Sequence, residues 1–198
     1  MRKFLLSFSI LMGLTAMVVA PVLAADDDDK DDDGKVSPAE KREKIDAVSK
    51  EALDTVFAKD PNSKKLFEKA YGYAVFDNLK LSLLLSTARG AGEAVKKSDG
   101  SKTYMKMGSV GLNIGLGGQK CQIIFFFETK DVFDKFVEKG WQAESGANAV
   151  AGTAGANAGV TFKNGMAVYQ ITEKGLMLQA DINGTKYYKD KKLNAPDK

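Results

Sequence analysis

Gly108–Phe127 reads GSVGLNIGLGGQKCQIIFFF, and its two halves predict two different strands. In the first half Val110, Leu112, Ile114 and Leu116 alternate with Gly111, Asn113, Gly115 and Gly117. That period of two gives a strand one apolar face and one nearly bare face. Repeated glycine inside a strand weakens it and points to sharp bending of the sheet, or to close approach of another backbone or a ligand. The second half, Ile123–Phe127, is an unbroken apolar run, the pattern of a strand buried on both faces. The pair is expected to form the centre of the fold.

The same glycines do not make a phosphate loop. Cys121 follows Lys120, so the G-x-x-x-x-G-K-[ST] spacing fails. A dinucleotide fingerprint leads from strand into helix, whereas this run leads from strand into strand. The chain contains no histidine, which removes the usual serine triad and most zinc sites. Cys121 is its sole cysteine and has no histidine to activate it, so it is expected to be a small strand residue with no nucleophilic role. The sequence points to no catalytic residue, no metal and no cofactor. A membrane barrel fits poorly, because such barrels need at least about eight strands of roughly ten residues each.

Working outward, the chain of 198 residues is long enough for one domain. At its start Arg2 and Lys3 precede an apolar run, Phe4 to Ala20, followed by Pro21-Val22-Leu23-Ala24. This is the layout of a secretory signal peptide, expected to span residues 1–24 and to be removed. Residues 25–36 form an acidic leader, with seven aspartates against Lys30 between Asp26 and Asp33, and are expected to be disordered. The net charge of +3 therefore hides a clearly basic body. A basic exported domain suits an anionic lipid surface and makes nucleic acid an improbable partner.

Ser37-Pro38-Ala39-Glu40 is a capping box with proline at the first helical position. The helix it opens carries Ile45, Val48, Ala52 and Val56 on one stripe and is expected to end near Lys59. Asp60-Pro61 should break it, with Asn62 or Ser63 capping a second short helix that buries Leu66 and Phe67. That helix would expose Lys64, Lys65 and Lys69, either as a solvated face or as a contact for anionic lipid. Strands are expected at Tyr73–Phe76 and Leu79–Thr87, then a bend at Arg89–Gly92 and a hairpin of Glu93–Lys97 and Lys102–Met107. Thr129 or Glu128 would cap a helix over Lys130–Lys139 that ends at Gly140. The small-residue run Ala143–Gly159 reads either as a disordered linker or as thin, tightly packed strands, and the alternation of Ala147, Ala149 and Ala151 favours strands. Further strands are expected at Val160–Lys163, Met166–Thr172, Leu176–Ile182 and Thr185–Lys189, before a frayed polar tail from Asp190.

Taken in order, these motifs resemble the SYLF lipid-binding family of bacterial exported proteins and eukaryotic membrane-associated adaptors. The residues that carry the resemblance are Ala70-Tyr71-Gly72-Tyr73-Ala74-Val75-Phe76, the Arg89–Gly92 turn and Gly111–Gln119. It continues through Phe133-Asp134-Lys135-Phe136, the run after Trp141 and the ending Tyr169–Tyr188 with Glu173-Lys174-Gly175-Leu176. It covers residues 37–192 as a single domain, leaving 193–198 as a polar tail. The chain departs from many relatives where Asp77 and a leucine-rich segment follow Phe76.

The resemblance implies binding of membrane lipid without catalysis. The residues and the resemblance together give an α+β fold, with N-terminal helices and one internal helix packed on a strongly bent antiparallel sheet or partial β-barrel. The expected activity is binding of anionic phospholipid at a membrane surface in the periplasm. Lys64, Lys65, Lys69, Lys80, Arg89, Lys96 and Lys97 would meet phosphates, and Leu81, Leu83 and Leu85 would meet acyl carbon. The alternative is a structural or protein-interaction module of the cell envelope.

Overall fold

The computed structural model describes residues 36–78, 81, 90–109, 121–142, 160–177 and 185–196. Helix α1 spans Pro38–Lys59 and opens as its capping box requires, with Ser37 Oγ accepting from Glu40 N–H at 3.1 Å. Its apolar stripe, Ile45, Val48, Ala52, Leu53 and Val56, is buried. Asp60 then serves two helices at once. Its N–H donates to Val56 O at 2.8 Å, closing α1, and its side chain accepts from Asn62 N–H at 3.0 Å, opening α2 over Pro61–Lys69. Pro61 therefore starts a helix, and the expected cap at Asn62 or Ser63 falls instead on Asp60, since proline is well suited to the first helical turn.

Eight strands form one antiparallel sheet: β1 (Gly72–Asp77), β2 (Gly90–Lys96), β3 (Lys102–Ser109), β4 (Cys121–Phe127), β5 (Trp141–Gln142), β6 (Met166–Thr172), β7 (Gly175–Met177) and β8 (Thr185–Lys189). Their order across the sheet is β5-β8-β3-β2-β1-β4-β6-β7. Strand β4 is buried throughout, as its unbroken apolar run predicts, and lies between β1 and β6. The glycine-rich residues of the neighbouring strand expected at 110–120 lie outside the described residues, as do residues 143–159, 178–184 and all but Leu81 of the strand expected at 79–87. The third helix, α3 (Lys130–Lys139), has its expected bounds, with Thr129 Oγ1 accepting from Val132 N–H and Gly140 leaving at φ 70°.

The sheet curls hard. Residues on β1 and β8 are three strands apart, which in a flat sheet is roughly 14 Å. Yet the rings of Phe76 on β1 and Tyr187 on β8 are centred 4.6 Å apart, and Phe125 on β4 reaches Tyr187 at 5.0 Å. One face is therefore folded around an aromatic interior. Phe133, Phe136 and Val137 of α3 pack into that interior beside Phe125 and Phe127. The opposite face carries α1 and α2, whose Ala52, Leu53, Val56 and Leu66 meet Val75, Ile124, Phe126, Ala167 and Tyr169. The result is a half-barrel filled from one side and covered from the other.

Four local expectations change. Gly90–Gly92, expected as a bend, belong to β2. A Cβ at Gly92 would sit against the Val75 carbonyl oxygen and 2.7 Å from the Phe76 ring, so this glycine permits close pairing of β1 and β2 without turning the chain. Leu81, expected within a strand, has helical backbone, and its N–H donates to the buried Asp77 Oδ1 at 3.0 Å. Val160–Phe162 form no ladder; only Lys163 bridges, to Met166, across a turn with Asn164 and Gly165 at positive φ. The tail is anchored where it was expected to fray. Leu193 is buried with Ile45, Val48, Leu81 and Ala91, and Asn194 exchanges hydrogen bonds with the Tyr104 backbone at 3.0 and 2.7 Å.

Candidate functional site

Helix α2 presents Lys64, Lys65 and Lys69 to solvent. Its inward residues fix it to the sheet: Leu66 is buried, and the Phe67 ring packs on Phe57, Tyr73 and Phe126 at centroid distances of 5.2, 5.4 and 5.6 Å. The three lysines thus project from a rigid base. Lys97 reaches the same helix from the β2–β3 turn but is fully engaged there. Its ammonium donates to the carbonyls of Phe67, Glu68 and Ala70 and lies 4.6 Å from the centre of the Phe67 ring. It caps the C-terminus of α2, where a cation meets the negative end of the helix. Burial lowers its pKa, with Glu68 opposing.

Lys96 is paired with Asp99 at 2.6 Å inside the hairpin turn. Leu81 is 1 % exposed and packed beneath α1, so it belongs to the core of the domain. Lys80, Arg89, Leu83 and Leu85 lie outside the described residues. Of the ten residues singled out in the sequence, the structure places Lys64, Lys65, Lys69 and Lys97 on or against one short helix.

A second feature has no counterpart in the sequence reading. Between α1 and strands β1–β3 lies a cleft of about 450 Å³ lined by Glu43, Asp46, Ala47, Lys50, Leu53, Tyr73, Glu93 and Lys102. Lys102 Nζ stands 2.8 Å from Asp46 Oδ2 and 3.2 Å from Glu93 Oε2. The Tyr104 hydroxyl donates to Asp46 Oδ1 at 3.1 Å. Glu93 is buried, ion-paired to Lys102, and its carboxyl also engages that of Asp46.

Burial, reinforced by the Asp46 carboxyl, pushes Glu93 up to about 7 against the pull of Lys102. Burial pulls the Lys102 pKa down, but Asp46 and Glu93 together outweigh it and hold it above its ordinary value. Tyr104 is pushed up to about 12 by burial and by Asp46. The sequence signal for Glu93 was its place in Ala91-x-Glu93-x-Val95, where strand alternation puts a carboxylate between two apolar residues of a covered face. Its partner Asp46 comes from a different element, and no local pattern announces it.

Where β1 meets β4, the polar residues Asp77, Asn78 and Gln122 are engaged structurally. Gln122 donates to Asp77 Oδ2 at 2.5 Å, and Asn78 Oδ1 accepts from Cys121 N–H at 2.7 Å. Burial, then the Asp77 charge, pushes the Cys121 thiol up to about 12, far from a nucleophile. Among the described residues no group of three or more Cys, Asp or Glu could hold a metal, and no helix is long and apolar enough to cross a membrane.

The half-barrel, with charge displayed on a helix face and a polar cleft beneath another helix, defines a small α+β domain. Residues 107–196 match the family Ysc84, described as Las17-binding protein actin regulator, which is the SYLF family. The chain is also 49 % identical over 154 residues to Beta cell expansion factor A from Aeromonas veronii. That match covers 78 % of this chain and 59 % of the relative, so the chain spans well under two thirds of that protein's length. The matched segment and this relative both point to the SYLF family, a family of binding and regulator domains.

Proposed function

We propose that this domain binds anionic phospholipid peripherally and without catalysis, in the periplasm, after removal of residues 1–24 as a signal peptide. The observation that carries the reading is the lysine face of α2, where Lys64, Lys65 and Lys69 are exposed on a helix held rigidly by Leu66 and Phe67. Each lysine near an anionic surface contributes about 1 kcal/mol, so three favour such a surface by roughly a hundredfold. Lys97 supports the face indirectly by fixing the end of the helix. Lys64→Glu/Lys65→Glu/Lys69→Glu tests it in co-sedimentation with phosphatidylglycerol vesicles. A loss of at least tenfold in vesicle affinity, with the circular dichroism unchanged, is expected; unchanged affinity contradicts the proposal.

A second reading is favoured by the family's description as a Las17-binding actin regulator. It takes the domain as a protein-interaction module of the cell envelope. Among the described residues strand β7 ends the sheet and carries the exposed Met177, an edge suited to a protein partner. Capture of one envelope protein in detergent, lost on Met177→Lys and independent of added lipid, would favour it.

A further inference from the structure

The charge cluster at the cleft joins three elements. Asp46 comes from α1, Glu93 from β2, and Lys102 and Tyr104 from β3. Lys102 Nζ touches both carboxyls, at 2.8 Å to Asp46 and 3.2 Å to Glu93, and the two carboxyls also hydrogen-bond to each other. Two carboxyl groups share a hydrogen bond only when one of them carries the proton. With that proton in place the pair bears one negative charge, which Lys102 balances. Without it two carboxylates face one ammonium, and Glu93, whose side chain is only 3 % exposed, cannot turn to water.

The other groups facing the pair do not supply a second cation. Glu43 on α1 adds negative charge, and Lys50 on α1 is paired with Asp54 at 2.6 Å. Tyr73 on β1 has its pKa raised by burial and by Glu93, and the Tyr104 hydroxyl donates to Asp46 at 3.1 Å. What the cluster holds together is a thinly packed part of the domain. The first half of α1 meets the sheet through Ile45 and Val48, which pack with Leu81, Ala91 and Leu193. Arg42 donates to the Leu193 carbonyl at 3.2 Å, and Tyr104 ties down the tail through its backbone contacts with Asn194. The second half of α1 is fixed separately, with Ala52, Leu53 and Val56 in a larger core beside Ile124 and Phe126. A local opening of the first half therefore leaves that core intact.

We propose that Asp46, Glu93 and Lys102 form a proton-held latch, which fastens the first half of α1 and the C-terminal tail to the β2–β3 hairpin while the two carboxyls share a proton and loosens when that proton leaves. The latch goes beyond the lipid-surface reading and stands without it, since it shares no residue with α2. Glu93 titrates at about 7 when the latch is closed and at its ordinary 4.5 when it is open, so the closed form holds the proton more tightly. The latch is at full strength below about 4.5 and weakens as pH rises, the change being complete just above 7. Between those limits the open form gains about tenfold in population for each pH unit.

The test is amide hydrogen exchange of the full chain from about pH 5 to pH 8, with rates corrected for the intrinsic pH dependence of exchange. Protection at Lys44–Lys50 and at Asn194 is expected to fall roughly fiftyfold over that range. At the upper end the α1 amides should exchange faster than those of Phe125–Phe127 on β4, and with little response to low urea, as a local opening requires. Glu93→Gln cannot titrate and should give protection flat in pH. Asp46→Asn, at a more exposed residue, removes the carboxyl that shares the proton and should abolish most of the wild-type change. An absence of pH-dependent loss in α1, or a loss that both variants keep, would overturn the latch. Exchange of α1 and β4 in step at every pH and urea concentration would also overturn it, leaving a pH dependence of global stability only.

Discussion

Gly92 and Glu93 are neighbours on β2 with opposite constraints. Gly92 faces the aromatic interior, where any Cβ meets the Val75 backbone, which cannot move aside as a flexible side chain can. Gly92→Ala should cost at least about 2 kcal/mol in a denaturant titration. Gly100, in the hairpin turn at φ 70°, has open space around it, so Gly100→Ala should cost only about 1 kcal/mol, from backbone strain alone. Glu93 faces α1 and titrates near 7 in the folded domain, against an ordinary 4.5. The folded state holds that proton more tightly than the unfolded state, so its contribution to stability is full below about 4.5 and is lost as pH rises through about 7. The loss amounts to roughly 3 kcal/mol. Glu93→Gln cannot titrate, so its stability relative to wild type should rise by about that amount between pH 4 and pH 8. Parallel pH profiles of the two proteins would refute the assignment.

At the scale of elements, the helices were the most legible part of the chain. Ser37-Pro38-Ala39-Glu40 and Thr129–Gly140 carry complete start and stop signals within a few residues, and α1 and α3 have the bounds those signals set. Asp60 was misjudged because its second role is tertiary: its Oδ2 accepts from the buried Tyr169 hydroxyl at 2.9 Å, which no local pattern predicts. Asp60→Ala removes the α2 cap and strands that hydroxyl, and should cost about 2 kcal/mol, measured by thermal melting. The small residues of Gly90–Gly92 looked like a bend because composition alone does not separate a turn from a strand pressed against its neighbour. Tyr104, Asn194 and Leu193 meet across long sequence separations, which is why an anchored tail looked frayed. The cleft was invisible for the same reason, since its charges come from α1, β2 and β3.

For the whole molecule, strand alternation, the buried run at β4 and the family resemblance were together enough to predict an α+β fold on a strongly bent antiparallel sheet or partial β-barrel. The hand that closes it was not, because curvature comes from rings such as Phe76, Phe125 and Tyr187 meeting across several strands. That curl leaves α1 and α2 on the outer face, with Lys64, Lys65 and Lys69 of α2 exposed to solvent. The proposed activity follows from that display. It is tested most directly by co-sedimenting the mature protein with vesicles of rising phosphatidylglycerol content at low and high salt. Binding that climbs with anionic fraction and collapses as salt rises is the predicted result; binding indifferent to both would contradict it.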